Sequence, residues 1–313
     1  MGARLADMAQ RFPSGGDKIG AETDASALLT SRDNKWLKKF RTALRGTGPE
    51  PGDPVAVEGP KLVIEGVRDG QEVEALLVSE TGEPALEEIL RAAAATDSGI
   101  PRTRIFRTTE KLFSSVAGTE APQGVAALFR MRDWTFEDVL RGRASKEGAY
   151  RGEPPLLVVM AGVQDPGNAG TIVRSAEAFG ATGAIAARGT ADPWSPKAIR
   201  ASAGSALRLP LLRGLSVPVV LAQLKVSGLR IYAASPHAAG GAAASPDLRE
   251  RCAIFIGGEG TGLPGEVIKA VDATIAIPMR DEVESLNAGV ASAVVLYEAA
   301  RQRRMTDGPV SND

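Results

Sequence analysis

The sequence predicts an α/β protein: a C-terminal domain built on a parallel sheet, preceded by a smaller N-terminal α/β domain. Three observations predict it. The chain has 313 residues, enough for two domains of ordinary size. Residues 156–160 form a continuous apolar run, as a strand buried on both faces does. Strand-like runs also alternate with helical stretches on both sides of a mixed polar segment, 134–154, that closes on Arg-Gly-Glu-Pro-Pro, a boundary signal.

The elements follow in order. Residues 1–29 mix Gly, Ser, Asp and Thr with little periodicity and are expected to be disordered. Trp36, Leu37, Phe40 and Leu44 then recur at helical spacing, with Ser31 as the expected N-cap. Residues 30–45 carry six basic side chains and one acid, Asp33. Arg32, Lys35, Lys38 and Lys39 are therefore either a solvated helix face or a phosphate-contacting arm. Past a Gly/Pro-rich linker at 46–54, residues 55–58, 73–78, 104–107 and 124–129 read as strands, and 60–67 and 85–96 as helices. This domain, 30–133, also holds the basic residues Arg102, Arg104, Arg107 and Lys111. In the second domain, 155–304, strands are expected at 156–160, 184–187, 218–221 or 230–233, 253–256 and 274–277. A frayed tail, 305–313, is expected to close the chain.

Composition removes several chemistries. Lys plus Arg is 37 and Asp plus Glu is 38, so a nucleic-acid surface must come from local clustering. Lys197, Arg200, Arg208 and Arg213 form one such cluster in the second domain. The single cysteine, Cys252, allows neither an intrachain disulfide nor a thiolate zinc site. It directly precedes an apolar strand and reads as an inert buried thiol. The single histidine, His237, lies in a loop-like stretch at 233–246 and reads as a surface residue. No metal site is expected. No apolar run approaches the ~20 residues of a membrane helix, and a cytoplasmic protein without a secretory leader is expected.

Three segments of the second domain join the end of a strand to a turn rich in Gly, Asn or Pro. Open parallel sheets place their ligands at such ends. The first, at 164–174, holds an Asp-Pro-Gly turn, then Asn168, expected to cap the next helix, then Arg174. Six residues advance a helix by roughly 600°, so the two side chains converge only if Asn168 caps from outside; a lone helical arginine is otherwise a solvated residue. The second, at 253–264, runs from an apolar strand into glycines 257, 258, 260 and 262, where backbone groups approach a ligand closely. It matches neither phosphate-loop nor dinucleotide fingerprints. Glu259 opposes a polyphosphate, so a cationic or neutral ligand fits better. The third, at 275–292, breaks a strand at Pro278 and reaches a helix with Ser285 or Asn287 at the N-cap position. Alone, it reads as a capped core helix.

Together the three segments resemble the signature motifs of the SpoU/TrmH RNA methyltransferases of the SPOUT superfamily, over roughly residues 156–304. The resemblance rests on Asn168-x5-Arg174, Gly257-x-Glu259-Gly-x-Gly262 and Ile277-Pro-Met-x6-Leu286-Asn287. Residues 57–63 and 121–125 resemble the small substrate-binding domain often joined to that catalytic domain. The resemblance implies a trefoil knot at the C-terminal end of the sheet, a homodimer packed partly through the last helix, and S-adenosylmethionine as methyl donor, with no metal. Gly257, Ile277 and Leu286 would read the adenine. Arg174 would be the catalytic arginine, with Asn168, Glu259, Ser285 and Asn287 as its polar shell. The acceptor would be a ribose 2′-hydroxyl of structured RNA, ribosomal RNA before transfer RNA. The basic clusters, Arg200 included, would then mark where RNA lies. Arg174 is either the base or, since guanidinium deprotonates only above pH ~12, a group that orients the substrate and stabilises oxyanion charge; the second is preferred. Many relatives carry valine and serine after the asparagine of the third motif, where this chain has Ala288 and Gly289. The competing readings are a non-catalytic RNA-binding protein that keeps the fold, a doubly wound nucleotide-dependent enzyme, and a Cys252 nucleophile.

Overall fold

The computed structural model describes residues 27–96, 104–142, 154–235, 246–260, 262–280 and 282–304. Residues 1–26 of the segment expected to be disordered, the tail at 305–313, His237 and Arg102 lie outside them.

The N-terminal α/β domain is a five-stranded mixed sheet in the order β1-β4-β3-β5-β2. Its strands are β1 (Ala27–Leu29), β2 (Val55–Glu58), β3 (Glu72–Ser79), β4 (Arg104–Thr108) and β5 (Val125–Arg130). β1, β4 and β3 run parallel, whereas β5 is antiparallel to β3 and β2. On one face lie α1 (Lys35–Arg45) and α4 (Glu110–Val116), whose Leu37, Phe40, Leu44, Phe113 and Val116 form a buried cluster with Leu77 and Leu128. On the other lie α2 (Pro60–Arg68) and α3 (Glu83–Ala94), whose Val63, Val67 and Ile89 pack under Leu76 and Phe129.

The C-terminal sheet has six strands, all parallel, in the order β11-β9-β10-β6-β7-β8. They are β6 (Leu156–Ala161), β7 (Gly183–Ala186), β8 (Leu211–Arg213), β9 (Arg230–Ala234), β10 (Cys252–Gly257) and β11 (Ala273–Ile275). β10 and β6 pair from Cys252↔Leu156 to Gly257↔Ala161 at the centre. Alternate residues of β6 divide between two cores. Leu156, Val158 and Met160 face α6 (Pro166–Ala178) and α11 (Ala288–Arg304). Leu157 and Val159 face α9 (Val217–Val226), α10 (Gly265–Ala270) and α5 (Phe136–Arg141). Both faces being covered, the strand is apolar throughout, as its sequence requires.

The core under α6 runs on into the N-terminal domain. Gly66 sits there against Phe129 and Leu207, where an added Cβ would come within 2.8 Å of the Phe129 ring. Arg208, on α8 (Ser205–Arg208), donates twice to Glu177 at 2.8 Å and once to Glu65 of α2 at 3.3 Å. Gln71 donates to the Leu207 carbonyl at 2.6 Å.

Several expectations need correction. Residues 27–29 are a strand, held in register by β4. Asn34, not Ser31, caps α1, its Oδ1 accepting from Trp36 N at 2.8 Å. α5 lies inside the expected linker at 134–154, fixed by a Thr135–Asp138 capping box and by the buried Val139. Residues 218–221 are helical, because Val217, Val220, Leu221 and Leu224 bury one helical face; the strand is β9. β8 was not anticipated: it is three residues long and pairs only with β7.

Candidate active site

The three turns converge at the carboxyl ends of β6, β10 and β11. In the first, Asp165 is the N-cap of α6, not Asn168: its Oδ1 accepts from Asn168 N at 2.9 Å, with Pro166 in the first turn. The other Asp165 oxygen accepts from Lys197 Nζ at 2.6 Å, on α7 (Pro196–Ala201). The Lys197 ammonium and the Asn168 N–H hold the Asp165 carboxyl below the usual carboxylate range. Asn168 is thus the third residue of the helix, and its amide is free for another task.

That task is a closed hydrogen-bonded ring. Asn168 Nδ2 donates to Glu259 Oε1 at 2.7 Å. Asn287 Nδ2 donates to the same Glu259 oxygen and to Asn168 Oδ1, the latter at 3.0 Å. Ala288 N approaches Glu259 Oε1 as a further donor at 3.4 Å. Asn287 Oδ1 meanwhile accepts from Gly289 N at 3.0 Å and Val290 N at 3.2 Å, capping α11. One carboxylate therefore ties together residues 91 and 28 positions away in the chain. Three of the five expected polar residues meet here. The departure at Ala288-Gly289 is also explained: a Cβ on Gly289 would lie 2.9 Å from Thr171 Cγ2 of α6, so a small residue lets α11 abut α6.

Beside the ring is a cavity of about 400 Å³. Gly257, Ile277 and Leu286 all line it, with Ser285 and Glu259. Glycines 257, 258, 260 and 262 line it too, and Gly262 N donates back to Gly258 O at 3.0 Å, with Gly262 at φ +66°. A Cβ on Gly257 would sit 2.5 Å from the Gly262 carbonyl carbon, so this turn requires glycine. Ala234 at the end of β9, Ser235 after it, Ile268 of α10 and Met279 also line the walls. Met279 falls within the third motif; Ala234, Ser235 and Ile268 belong to no motif, and of these only the first two, at a strand end, carry a signal that could have suggested them. Apolar walls with exposed backbone and one carboxylate suit a flat heteroaromatic ring joined to a cation. S-adenosylmethionine is such a molecule, and the volume is within the usual range for a cofactor site.

Arg174 is not in the ring and does not line the cavity. It is exposed on α6, with no salt-bridge partner among the described residues. Asn168, Thr171 and Arg174 follow the i, i+3 row of the helix, so Arg174 lies roughly 9 Å along the axis from Asn168 and about 120° around it. Arg32, Lys35 and Lys38 are exposed around α1, Lys38 lying 3.1 Å from Asp33, whereas Lys39 pairs with Glu74. Lys39 and Arg104 both lie over the Trp36 ring, at 5.5 and 5.1 Å. Arg200 is exposed on α7, a neighbour of α1. Among the described residues no group of His, Cys, Asp and Glu is arranged to hold a metal, and no helix is long and apolar enough to cross a membrane.

Comparison with known proteins decides the family. Residues 155–297 match the model of the SpoU rRNA methylase family, and residues 53–127 that of the MRM3-like substrate binding domain. An uncharacterized tRNA/rRNA methyltransferase from Mycobacterium ulcerans is 34% identical over 79% of this chain and 77% of its own length. The chain belongs to the SpoU/TrmH family of RNA methyltransferases. Another relative, the 23S rRNA (guanosine(2553)-2′-O)-methyltransferase RlmP of Bacillus subtilis, is 28% identical over 77% of this chain and 86% of its own. Among solved structures, the SpoU methyltransferase AviRb from Streptomyces viridochromogenes, crystallised with its cofactor AdoMet, superposes with a TM-score of 0.71. It is 26% identical, covering 87% of this chain and 98% of its own. An rRNA methyltransferase from Sinorhizobium meliloti gives 0.70 at 26% identity, covering 88% of this chain and 98% of its own.

Proposed function

We propose that the protein methylates a ribose 2′-hydroxyl of ribosomal RNA, with S-adenosylmethionine as donor. The observation that carries this reading is the Asn168–Glu259–Asn287 ring closed beside a cavity lined by Gly257, Ile277 and Leu286. Those three residues would hold the adenine, and Glu259 gives the site the negative charge a sulfonium needs. Bound there, the cofactor supplies an electrophilic methyl group.

The chain's own residues do the rest. The ring fixes the three turns before substrate arrives, so the reacting atoms meet with little reorganisation. Ser285, exposed at the cavity wall, offers a hydroxyl toward the incoming sugar. The task of Arg174 is to hold the ribose or its phosphate and to stabilise the oxyanion as the hydroxyl loses its proton. Arg32, Lys35, Lys38, Lys39 and Arg200 extend the phosphate-binding surface over the N-terminal domain.

The same reading divides the chain at 134–154 into a substrate-binding domain, 30–133, and a catalytic domain, 155–304, with a trefoil knot through the turns that build the cavity. It makes the protein a cytoplasmic homodimer. Val290, Val294 and Tyr297 support the dimer, forming an exposed apolar row at helical spacing on α11. Ribosomal RNA is favoured over transfer RNA because the similarity to RlmP covers 86% of that relative and is not confined to the catalytic half.

The test is methyl transfer from labelled S-adenosylmethionine to ribosomal RNA from a strain lacking the gene. A 2′-O-methyl group blocks alkaline cleavage of the adjoining phosphodiester. The label is expected in one alkali-resistant dinucleotide. Label on a base, or on transfer RNA alone, would overturn the assignment.

A further inference from the structure

A second cavity, of about 710 Å³, opens between the two domains. It is larger than the cofactor cavity and shares no residue with it. Its walls come from the turn before β2, the segment after β5, and the carboxyl ends of β7 and β8. It therefore lies on the same carboxyl edge of the parallel sheet as the candidate active site. In the strand order, β10 and β7 are two steps apart across β6, roughly 10 Å at ordinary strand spacing.

The lining is of an unusual kind. Two of the chain's three tryptophans, Trp134 and Trp194, are in it. Each carries a guanidinium against its ring, Arg132 at 4.7 Å from Trp134 and Arg213 at 4.8 Å from Trp194. Trp194 is a fixed platform: it is 9% exposed and its Nε1 donates to the Ala206 carbonyl at 3.0 Å. Arg213 is fixed too, ion-paired to Asp192 and donating to the Pro49 carbonyl at 2.7 Å. Trp134 differs. Its Nε1 is the one buried side-chain polar atom among the described residues with no hydrogen-bond partner. The Trp134 ring itself is partly exposed in the cleft lining. Arg188 lines the same cleft, exposed and with no ion-pair partner among the described residues.

These groups discriminate between ligands. Three arginines in the lining, Arg130, Arg188 and Arg213, face three aspartates, Asp53, Asp133 and Asp192. With that balance a polyphosphate gains little. Aromatic rings layered with guanidinium planes are instead what an unstacked base meets on a protein. A free arginine suits one phosphate.

We propose that this interdomain cleft binds an unpaired nucleotide of the substrate RNA, near the methylated one in the same strand. Its base stacks on the partly exposed Trp134 ring beside the Arg132 guanidinium, and Arg188 meets its phosphate. The cleft thus sets which RNA is admitted, while the cofactor cavity and Arg174 carry the chemistry. The proposal rests on RNA being the substrate.

The test uses the full-length chain and ribosomal RNA from a strain lacking the gene. Wild type, Trp134→Leu and Arg188→Glu are compared by filter retention of that RNA, by calorimetric titration with S-adenosylmethionine, and by methyl-transfer kinetics. The dissociation constant and the KM for RNA are each expected to rise about tenfold or more, while kcat and the cofactor affinity stay within twofold of wild type. Arg188→Glu guards against misfolding, since Arg188 is exposed. RNA affinity within twofold of wild type in that variant would overturn the proposal, as would equal weakening of RNA and cofactor binding. If wild type transfers no methyl group to any RNA, the methyltransferase reading fails instead, and filter retention still decides the cleft.

Discussion

Glu259→Ala is the most informative perturbation of the ring. Oε1 of Glu259 accepts from Asn168 Nδ2, Asn287 Nδ2 and the Ala288 N–H, and alanine removes all three acceptances at once. The donors sit at the surface, so each regains water, and each bond contributes only the net ~0.5–1.5 kcal/mol of a solvated pair. The Ala288 contact is long at 3.4 Å and counts at the low end. The sum is about 1.5–3 kcal/mol lost from the juxtaposition of the three turns, and very little from the fold, because Asn287 still caps α11 through its own Oδ1. If that juxtaposition is what prepares the cavity, the loss appears as weaker cofactor binding, about 10- to 150-fold at 1.4 kcal/mol per decade. Isothermal titration with S-adenosylmethionine measures it, and a thermal melt controls for unfolding. Glu259→Gln keeps one acceptor oxygen and should fall between wild type and alanine. Cofactor affinity within twofold of wild type in the alanine variant, with Tm unchanged, would refute the reasoning.

Three other perturbations probe separate parts of the molecule. Gly257→Ala drives a Cβ to within 2.5 Å of the Gly262 backbone; overpacking of about 1–3 kcal/mol should weaken cofactor binding about fivefold or more, and an unchanged titration would show that the turn tolerates a side chain. Arg208→Ala strands Glu177 and Glu65 at the domain junction, where the three side chains are about 30% exposed; a loss of about 2 kcal/mol should lower Tm by about 4–8 °C, and a shift under 1 °C would contradict it. Burial pushes the Cys252 thiol up to about 11. Its folded value being the raised one, its contribution to stability is full below pH ~8.5 and is lost as pH rises through that folded value. Native protein should therefore resist a disulfide-exchange reagent at pH 8 and react once unfolded; complete labelling of the native state within minutes would refute the burial argument.

Most of the parallel sheet was legible because its central strands are covered on both faces, which leaves continuous apolar runs that no half-exposed strand would show. The three turns were legible for a different reason: glycine, asparagine and proline mark places where the backbone leaves regular geometry, and those places are the strand ends where a parallel sheet builds its site. What escaped has physical causes too. The run at 217–226 is apolar on both its buried and exposed faces, Val219 being 45% and Val226 90% exposed, so it shows no period to separate helix from strand. Two residues three apart, Asp165 and Asn168, both suit an N-cap, and only tertiary partners assign the cap to Asp165 and the ring to Asn168. The interdomain cleft draws on segments from residue 51 to residue 214, and no local pattern announces a wall assembled from that many pieces. Arg174 was singled out by a motif, yet no contact within the described chain explains it.

Arg174→Ala is the most direct test of the central claim, that one guanidinium serves methyl transfer at a cavity the rest of the chain has already built. Single-turnover transfer to ribosomal RNA and calorimetric binding of S-adenosylmethionine should be measured on the same preparation. The expected result is a rate lower by about 10²- to 10³-fold, the loss typical of removing one oxyanion-stabilising group, with cofactor affinity within twofold of wild type. A wild-type rate would contradict the account, as would a loss of cofactor binding that matches the loss of rate.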